Sequence, residues 1–235
     1  MRTRLPSEKN KSAFSLIELL VVIAIIGIIG AFAVPAVGNL LKGSAITQAA
    51  NLLNDNTSAA RQYALTRNRT VEVRFYNFGD PEVPGESITD QSTWSFRALQ
   101  YFEIADGNIP NPVGKVARFP DTVIMNPSAT LSSVFSGLTP SNPGANDPDL
   151  PRGVKKKYTY VSFRFQPDGS TSLSPTGPTA GGANGQWYIT VHLLSDAARS
   201  ANGIGNNPNQ VHNFFTWMID PVSGSTKVLR PGFKK

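Results

Sequence analysis

The 235-residue sequence contains no cysteine and only two histidines, His192 and His212. The absence of cysteine excludes a disulfide framework and a thiolate metal site. No carboxylate stands at a metal-ligand spacing from either histidine, such as the HExxH pattern requires. His192 falls in a stretch that alternates like a strand, which favours packing inside the protein over metal ligation. We therefore expect no metal ion and no other cofactor.

The sequence also lacks the common motifs of catalysis. Ser195 and Asp196 follow His192 closely, but no GxSxG turn surrounds the serine. No glycine-rich phosphate-binding loop precedes a helix. Asp147 and Asp149, with the asparagine before them, offer oxygen ligands for calcium, yet the glycine and the bidentate glutamate of an EF-hand loop are missing. We expect the protein not to be an enzyme.

Basic residues are in moderate excess, and the formal net charge is +6. Half of this excess lies before residue 14, where four basic residues accompany one acidic residue. Such a basic leader stays in the cytoplasm under the positive-inside rule. Basic residues near the C-terminus, at Arg230, Lys234 and Lys235, make a DNA-binding surface a hypothesis to test. The remaining net charge is too small to argue for nucleic acid, so we do not expect a nucleic-acid partner.

No charged residue occurs from Leu19 to Leu41. A helix of this length can span the hydrocarbon core of a bilayer, which is about 30 Å thick. Glu18 stands at the start of this stretch, and an isolated charge inside a membrane is unfavourable by roughly 2.5 to 3.5 kcal/mol. Because an ionisable residue in such a place needs a partner, we interpret Glu18 as functional.

The segment Ala13–Leu19, AFSLIEL, resembles the N-terminal signal of type IV prepilins and type II secretion pseudopilins. The resemblance implies that a membrane prepilin peptidase cuts between Ala13 and Phe14 and then methylates the new N-terminus at Phe14. It also implies that Glu18 meets the terminal amine of a neighbouring subunit during assembly. The family usually has glycine before the cut, so Ala13 departs from its pattern and puts efficient cleavage in question.

Other interpretations of the apolar stretch are a Sec signal and a plain membrane anchor. A Sec signal has a shorter apolar core, roughly 7 to 15 residues. A plain anchor explains the length but not Glu18. Gly27 and Pro35 are helix-break candidates, because the resemblance implies that the segment between them can lose helicity in assembled filaments. Close helix packing at the small residues is the alternative explanation.

Beyond the apolar stretch, the helix is predicted to continue to residue 68. Apolar residues recur every three or four positions from Val37 to Ala64, which predicts an amphipathic helix that packs on a sheet. From Thr70 the period changes to two, which predicts a half-buried strand. Residues 126–152 are rich in Pro, Ser, Asn and Gly and predict a long exposed loop. Further strands are predicted at Trp94–Ile104, Val116–Met125, Tyr158–Phe165 and Trp187–Leu194, with a C-terminal hairpin of Phe214–Ile219 and Thr226–Arg230.

One long N-terminal helix followed by antiparallel strands predicts the α+β class, and this order is the architecture of pilins. Two stretches, FRFQPDGS and IDPVSGSTKVLR, look like those of H-type minor pseudopilins, the GspH/FimT family. We therefore predict a pilin-like fold whose long N-terminal helix, transmembrane in its first half, packs on an antiparallel β-sheet. The predicted parts are a cleaved leader at 1–13, a transmembrane and filament-core helix at 14–41, an amphipathic continuation at 42–68 and a periplasmic β domain with long loops at 69–235.

The resemblance implies a function in assembly. It suggests a minor pseudopilin of a type II secretion-like pseudopilus, held in the inner membrane by one helix with its C-terminal domain in the periplasm. The implied partners are a prepilin peptidase and methyltransferase, other pseudopilins or pilins, and an inner-membrane assembly platform. Two alternatives remain: a FimT-like minor pilin of a type IV pilus, with DNA binding as a further hypothesis, and a membrane-anchored periplasmic binding module that does not polymerise.

Overall fold

The computed structural model describes residues 15–178, 185–197, 199–200, 203–204, 211 and 213–230. For residues 32–37, 39–40, 199–200 and 203–204 it describes the backbone alone. The predicted leader at 1–13, the cleavage site between Ala13 and Phe14, and the residues His212, Lys234 and Lys235 lie outside the described residues. The chain divides into two compact units, Met1–Leu41 and Lys42–Lys235.

The first helix, α1, spans Leu16–Arg67 and so contributes to both units. In the first unit its backbone is helical through Gly27 and Pro35. The loss of helicity between these two residues concerns assembled filaments and stays a prediction. Among the described residues, no helix combines the length and the apolar character that crossing a membrane requires. The transmembrane character predicted for residues 14–41 is therefore not confirmed.

In the second unit, α1 carries the predicted apolar stripe. The almost fully buried members of this stripe are Ala49, Leu53, Ala60 and Ala64, and Ile46 and Ala50 are buried beside them. The helix ends at Arg67, one residue before the predicted end, and the next residue, Asn68, adopts a left-handed backbone with φ of 53°. A residue in this conformation commonly stops a helix, since it redirects the chain after the last turn.

The strands that follow α1 confirm the α+β class. Their bounds are β1 Val71–Phe78, β2 Ser95–Ala105, β3 Ile109–Pro112, β4 Ala117–Arg118, β5 Val123–Met125, β6 Thr159–Phe165, β7 Trp187–Leu193, β8 Arg199–Ser200, β9 Gly203–Ile204, β10 Phe214–Ile219 and β11 Thr226–Leu229. A nine-stranded antiparallel sheet has the order β11-β10-β7-β5-β2-β1-β6, with β3 and β4 paired beside it to β2. A short helix, α2, spans Ser133–Gly137, and β8 pairs only with β9.

Most of the predicted strands lie within one residue of the observed bounds. The segment Val116–Met125 contains two short strands, β4 and β5, which are separated around Pro120 as its sequence indicates. β10 and β11 form the predicted C-terminal hairpin. β3, α2 and the small β8–β9 pair were not predicted, since they all lie in segments rich in turn-forming residues.

One face of the sheet packs against α1. Leu53 and its neighbours on the helix share a core with Val73 and Phe75 of β1, Phe163 of β6 and Trp217 of β10. The aromatic rings of Phe75 and Phe163 stack at a centroid distance of 6.1 Å. This confirms that the helix stripe is the face on which the sheet packs.

The prediction of a half-buried β1 is wrong, because the second face of the strand is buried too. Tyr76 is fully buried in a second cluster with Phe102, Leu150 and Tyr158. Leu150 belongs to residues 126–152, so the prediction that this segment is an exposed loop is also wrong. A few apolar side chains in a polar segment are enough to cover a sheet face, and an average over the segment's composition hides them.

Candidate assembly site at the start of the first helix

The start of α1 is organised by two side chains, Ser15 and Glu18. The Oγ atom of Ser15 accepts a hydrogen bond from the backbone N–H of Ile17 at 3.3 Å. The Oε2 atom of Glu18 accepts one from the backbone N–H of Ser15 at 2.9 Å. This reciprocal arrangement is a capping box, which satisfies backbone donors that a helix leaves free at its N-terminus.

The capping box gives Glu18 a role within its own chain that our sequence analysis missed. The Ser-x-x-Glu spacing ahead of an apolar run is a known helix-start signal and was present in the sequence. The carboxylate also lies at the positive end of the helix dipole, which favours a negative charge there. Glu18 therefore has one structural partner, and any intermolecular role must be compatible with it.

The second carboxylate oxygen of Glu18, Oε1, has no hydrogen-bond partner among the described residues, and Glu18 itself is exposed. One oxygen thus caps the helix while the other is open to a further donor. The cleavage site predicted from the sequence would create a terminal amine at Phe14, one residue before the N–H that Glu18 binds. An amine of this kind is a suitable second donor for the carboxylate.

The apolar side chains on both sides of Glu18 in the sequence are exposed. Ile17 is 69% exposed and Leu20 is 54% exposed. The other large apolar residues of this kind among the described side chains of the first unit are Leu16, Leu19, Val21, Val22, Ile23, Ile25, Ile26, Ile28, Ile29 and Leu41. An apolar surface of this size is a mark of interaction with a membrane or with other proteins.

The predicted C-terminal basic group is only partly described. The guanidinium of Arg230 donates a hydrogen bond from Nη2 to the Oγ1 atom of Thr47 at 2.7 Å. Lys234 and Lys235 lie outside the described residues, so a cluster of these three basic residues stays a prediction. The DNA-binding hypothesis gains no support from Arg230 alone.

His192 is fully buried and has a structural environment. Its Nδ1 atom lies 2.7 Å from the carbonyl oxygen of Leu193 and its Nε2 atom 2.8 Å from the Nδ2 atom of Asn126. The carbonyl of Leu193 can only accept a hydrogen bond, and the NH₂ group of Asn126 donates one. The neutral ring therefore carries its proton on Nδ1. Burial lowers the pKa of His192 below its ordinary value and so favours this neutral form.

Asp147, the carboxylate we considered for calcium, is engaged inside the protein. Its Oδ1 atom lies 2.6 Å from Nη1 of Arg74, and its Oδ2 atom accepts the backbone N–H of Gly144 at 2.7 Å. Within the described residues, no three His, Cys, Asp or Glu side chains form a group that could hold a metal ion.

Comparison with known proteins identifies the N-terminal segment. A family model described as the prokaryotic N-terminal methylation motif matches residues 9–34. No curated protein and no solved structure matches the chain. The match covers the predicted cleavage site, Glu18 and most of the apolar stretch, and it supports a type IV prepilin-like protein. Such a motif implies processing by a prepilin peptidase and assembly with other pilins.

Proposed function

We propose that this protein is a minor pseudopilin of the H-type, GspH/FimT, group and that it assembles into a type II secretion-like pseudopilus. The observation that supports a prepilin-like protein is the N-terminal methylation motif at residues 9–34, which overlaps the start of a helix with an exposed apolar surface. The H-type assignment rests on the resemblance of the stretches FRFQPDGS and IDPVSGSTKVLR. The peptidase cleaves between Ala13 and Phe14, and Phe14 becomes the N-methylated terminus. Assembly, and not catalysis, is the function.

In this proposal, residues 14–41 anchor the chain in the inner membrane as a single span, and the β domain lies in the periplasm. The exposed Leu, Ile and Val side chains of α1 contact lipid before assembly and the helices of other subunits afterwards. Burial of apolar side chains among other helices keeps them away from water in the filament. The partners are the peptidase, the inner-membrane assembly platform and neighbouring pseudopilins.

We assign the free carboxylate oxygen of Glu18 to the terminal amine of a neighbouring subunit. Each of the two charges alone is unfavourable in an apolar filament core, and their pairing removes this cost. The pairing uses Oε1, while Oε2 keeps its bond to the backbone of Ser15. The pair also fixes the axial register of one subunit against the next.

The processing step is tested by the intact mass and N-terminal sequence of the membrane-extracted protein, made with its native peptidase. The proposal expects a chain that begins at N-methylated Phe14. A chain that still begins at Met1 when a known prepilin is processed in the same cells would contradict it. A variant with Ala13→Gly restores the usual residue before the cut and serves as the positive control for cleavage efficiency.

The assembly role of Glu18 is tested by two substitutions with different effects on the helix start. Glu18→Gln keeps an oxygen that can cap Ser15 but removes the charge, whereas Glu18→Ala removes both. The proposal expects that both variants enter the membrane and that neither enters filaments. If Glu18→Gln assembles normally and only Glu18→Ala fails, the carboxylate acts as a helix cap and the intersubunit pair is refuted.

A further inference from the structure

The two edges of the large sheet differ in whether their backbone groups are already bonded. At the β6 edge, Tyr160 exchanges N–H and C=O bonds with Ser141 at 2.9 and 2.8 Å. Farther along the same edge, the carbonyl of Arg164 accepts the N–H of Ser172 at 2.8 Å. The N–H of Arg164 donates to the hydroxyl of Ser172 at 2.9 Å. Two segments of the chain therefore block this edge against a further strand.

Among the described residues, none pairs with the β11 edge, and the hydrogen-bond alternation shows which groups point outward. The N–H groups of Tyr188 and Thr190 in β7 bond Ser133 and Ser132, on the side away from β10. Because antiparallel partners alternate, Trp217 and Ile219 in β10 face β7. The residues between them, Thr216 and Met218, then face β11.

Thr216 and Met218 lie opposite Leu229 and Lys227, respectively. The backbone groups of Leu229 and Lys227 therefore bond β10. The turn bond from the N–H of Asp220 to the carbonyl of Ser225, at 2.9 Å, gives the same alternation. The N–H and C=O groups of Thr226 and Val228 consequently point away from the sheet. No described residue bonds them.

The open edge is also basic. Among the arginines whose side chains are described, Arg69, Arg74, Arg97, Arg118, Arg152 and Arg164 pair with a carboxylate. Arg61 and Arg230, which flank β11, have no carboxylate partner in the described part of the chain: Arg61 donates to the carbonyl of Ser223 at 3.0 Å and Arg230 to Thr47. The pKa of Asp220 is lowered, mainly because its carboxylate accepts the backbone N–H of Ser223. The positive charge of Lys227 in β11 also lies close enough to lower this pKa.

A groove of about 450 Å³ lies at the start of β11, next to Thr226. Its walls are Ser58, Arg61, Gln62 and Leu65 of α1 and residues 224–226 of the hairpin. The apolar side chains of Val228 and Leu229 are 38% and 50% exposed on the two faces of the edge strand. An extended chain here would meet backbone partners, a cationic wall and apolar side chains at once.

We propose that the β11 edge binds an extended, acidic segment of a partner protein by strand addition. In this mode, backbone hydrogen bonds to Thr226 and Val228 provide the pairing and side-chain contacts provide the choice of partner. Carboxylates on the segment complement Arg61 and Arg230. A stretch of about five residues is long enough, since a strand advances roughly 3.4 Å per residue.

The same observations argue against two other occupants. Continuing the sheet into a second copy in a head-to-tail arrangement would need the β6 edge, which is blocked. Pairing two β11 edges would bring the uncompensated cations of both copies together. DNA is recognised mainly through phosphate contacts, and its backbone has no N–H donors that could pair with the outward carbonyl groups of Thr226 and Val228.

The test uses the full chain in detergent and an acetylated heptapeptide of alternating glutamate and valine or threonine, labelled for fluorescence anisotropy. We expect saturable binding that Val228→Pro weakens about tenfold or more, because proline removes one outward N–H without touching the bonds to β10. Arg230→Ala should weaken binding about threefold at low salt, and this difference should shrink in 1 M salt. The control is Arg67→Ala. Arg67 carries the same charge as Arg230 and also has no carboxylate partner in the described chain, so this variant should leave binding unchanged.

Amide hydrogen exchange on the unaltered protein provides a second measurement that does not depend on a variant folding. The amides of Thr226 and Val228 should exchange quickly in the free protein and become protected by the peptide, while those of Lys227 and Leu229 are slow throughout. Absence of binding, or binding without protection of these two amides, overturns the proposal. The proposal is also overturned if duplex DNA displaces the peptide and binds the Val228→Pro variant as well as it binds the unaltered protein. A third contradicting result is that no peptide binds and Val228→Pro abolishes self-association.

Discussion

Removing the carboxylate of Asp147 should destabilise the β domain by about 3 kcal/mol, because it leaves a buried guanidinium with only one anionic partner. The Asp147 side chain is 9% exposed and that of Arg74 is 4% exposed. The guanidinium of Arg74 also lies 2.6 Å from Glu72 and 4.4 Å above the ring centroids of Phe102 and Tyr160. Burial alone would lower the pKa of Arg74, but the bonds to Asp147 and Glu72 outweigh it and raise that pKa.

The magnitude follows from the two partners of this arginine. Loss of one partner of a buried ion pair costs about 3 to 5 kcal/mol, and the remaining bond to Glu72 places Asp147→Ala at the lower end. For a domain of this size, each kcal/mol corresponds to roughly 2 to 4 °C in Tm, so we expect a decrease of about 6 to 12 °C. The matched control is Asp106→Ala, which breaks an exposed pair with Arg69 that contributes about 0 to 1 kcal/mol.

Thermal and urea unfolding of the full chain in detergent, followed by near-ultraviolet circular dichroism, measures both variants. The double variant Arg74→Leu with Asp147→Leu tests the cause. It removes both members of the pair and leaves Glu72 paired with Arg164 alone, so it should recover part of the loss. If Asp147→Ala loses no more stability than Asp106→Ala, the buried pair does not stabilise this face of the sheet and the argument is refuted.

Three further predictions concern stability. Burial lowers the pKa of His192 in the folded protein, so its neutral ring contributes its full stability above pH 6.5. The free energy of unfolding should therefore decrease as the pH falls below 6.5, by at most about 1.4 kcal/mol per pH unit. Urea titrations from pH 7.5 to 5 measure this decrease, which should be smaller in His192→Gln. Gly224→Ala should lower the free energy of unfolding in urea by at least about 2 kcal/mol, since Gly224 has a φ of 65° and a Cβ there would collide with the carbonyl of Gly169. The control Gly114→Ala should lower it less, because Gly114 has a φ of 92° but open space around its Cβ position. Leu53→Ala should lower the free energy of unfolding by about 2 to 5 kcal/mol because Leu53 is fully buried between helix and sheet, and an unchanged urea midpoint would contradict the observed core.

Local patterns in the sequence were sufficient for α1 and most strands, but not for β3, α2 and the β8–β9 pair. The stripe of α1, the two-residue period of β6 and the Asp220–Gly224 turn each depend on residues close together in the chain. The same holds for the start of α1, where the Ser-x-x-Glu spacing specifies a capping box within four residues. The N-terminal methylation motif is likewise a linear pattern, which is why the candidate site could be located from the sequence.

Only the tertiary structure decided which strands lie at the edges of the sheet and what covers its faces. β6 has the strongest strand pattern, yet it is an edge that Ser141 and Ser172 block, while β1 lies inside and is buried on both faces. The partnership of Arg74 with Asp147 joins residues 73 positions apart. Strand order, face burial and ion pairing result from contacts between distant segments, and a periodicity that extends over a few residues carries no information about them.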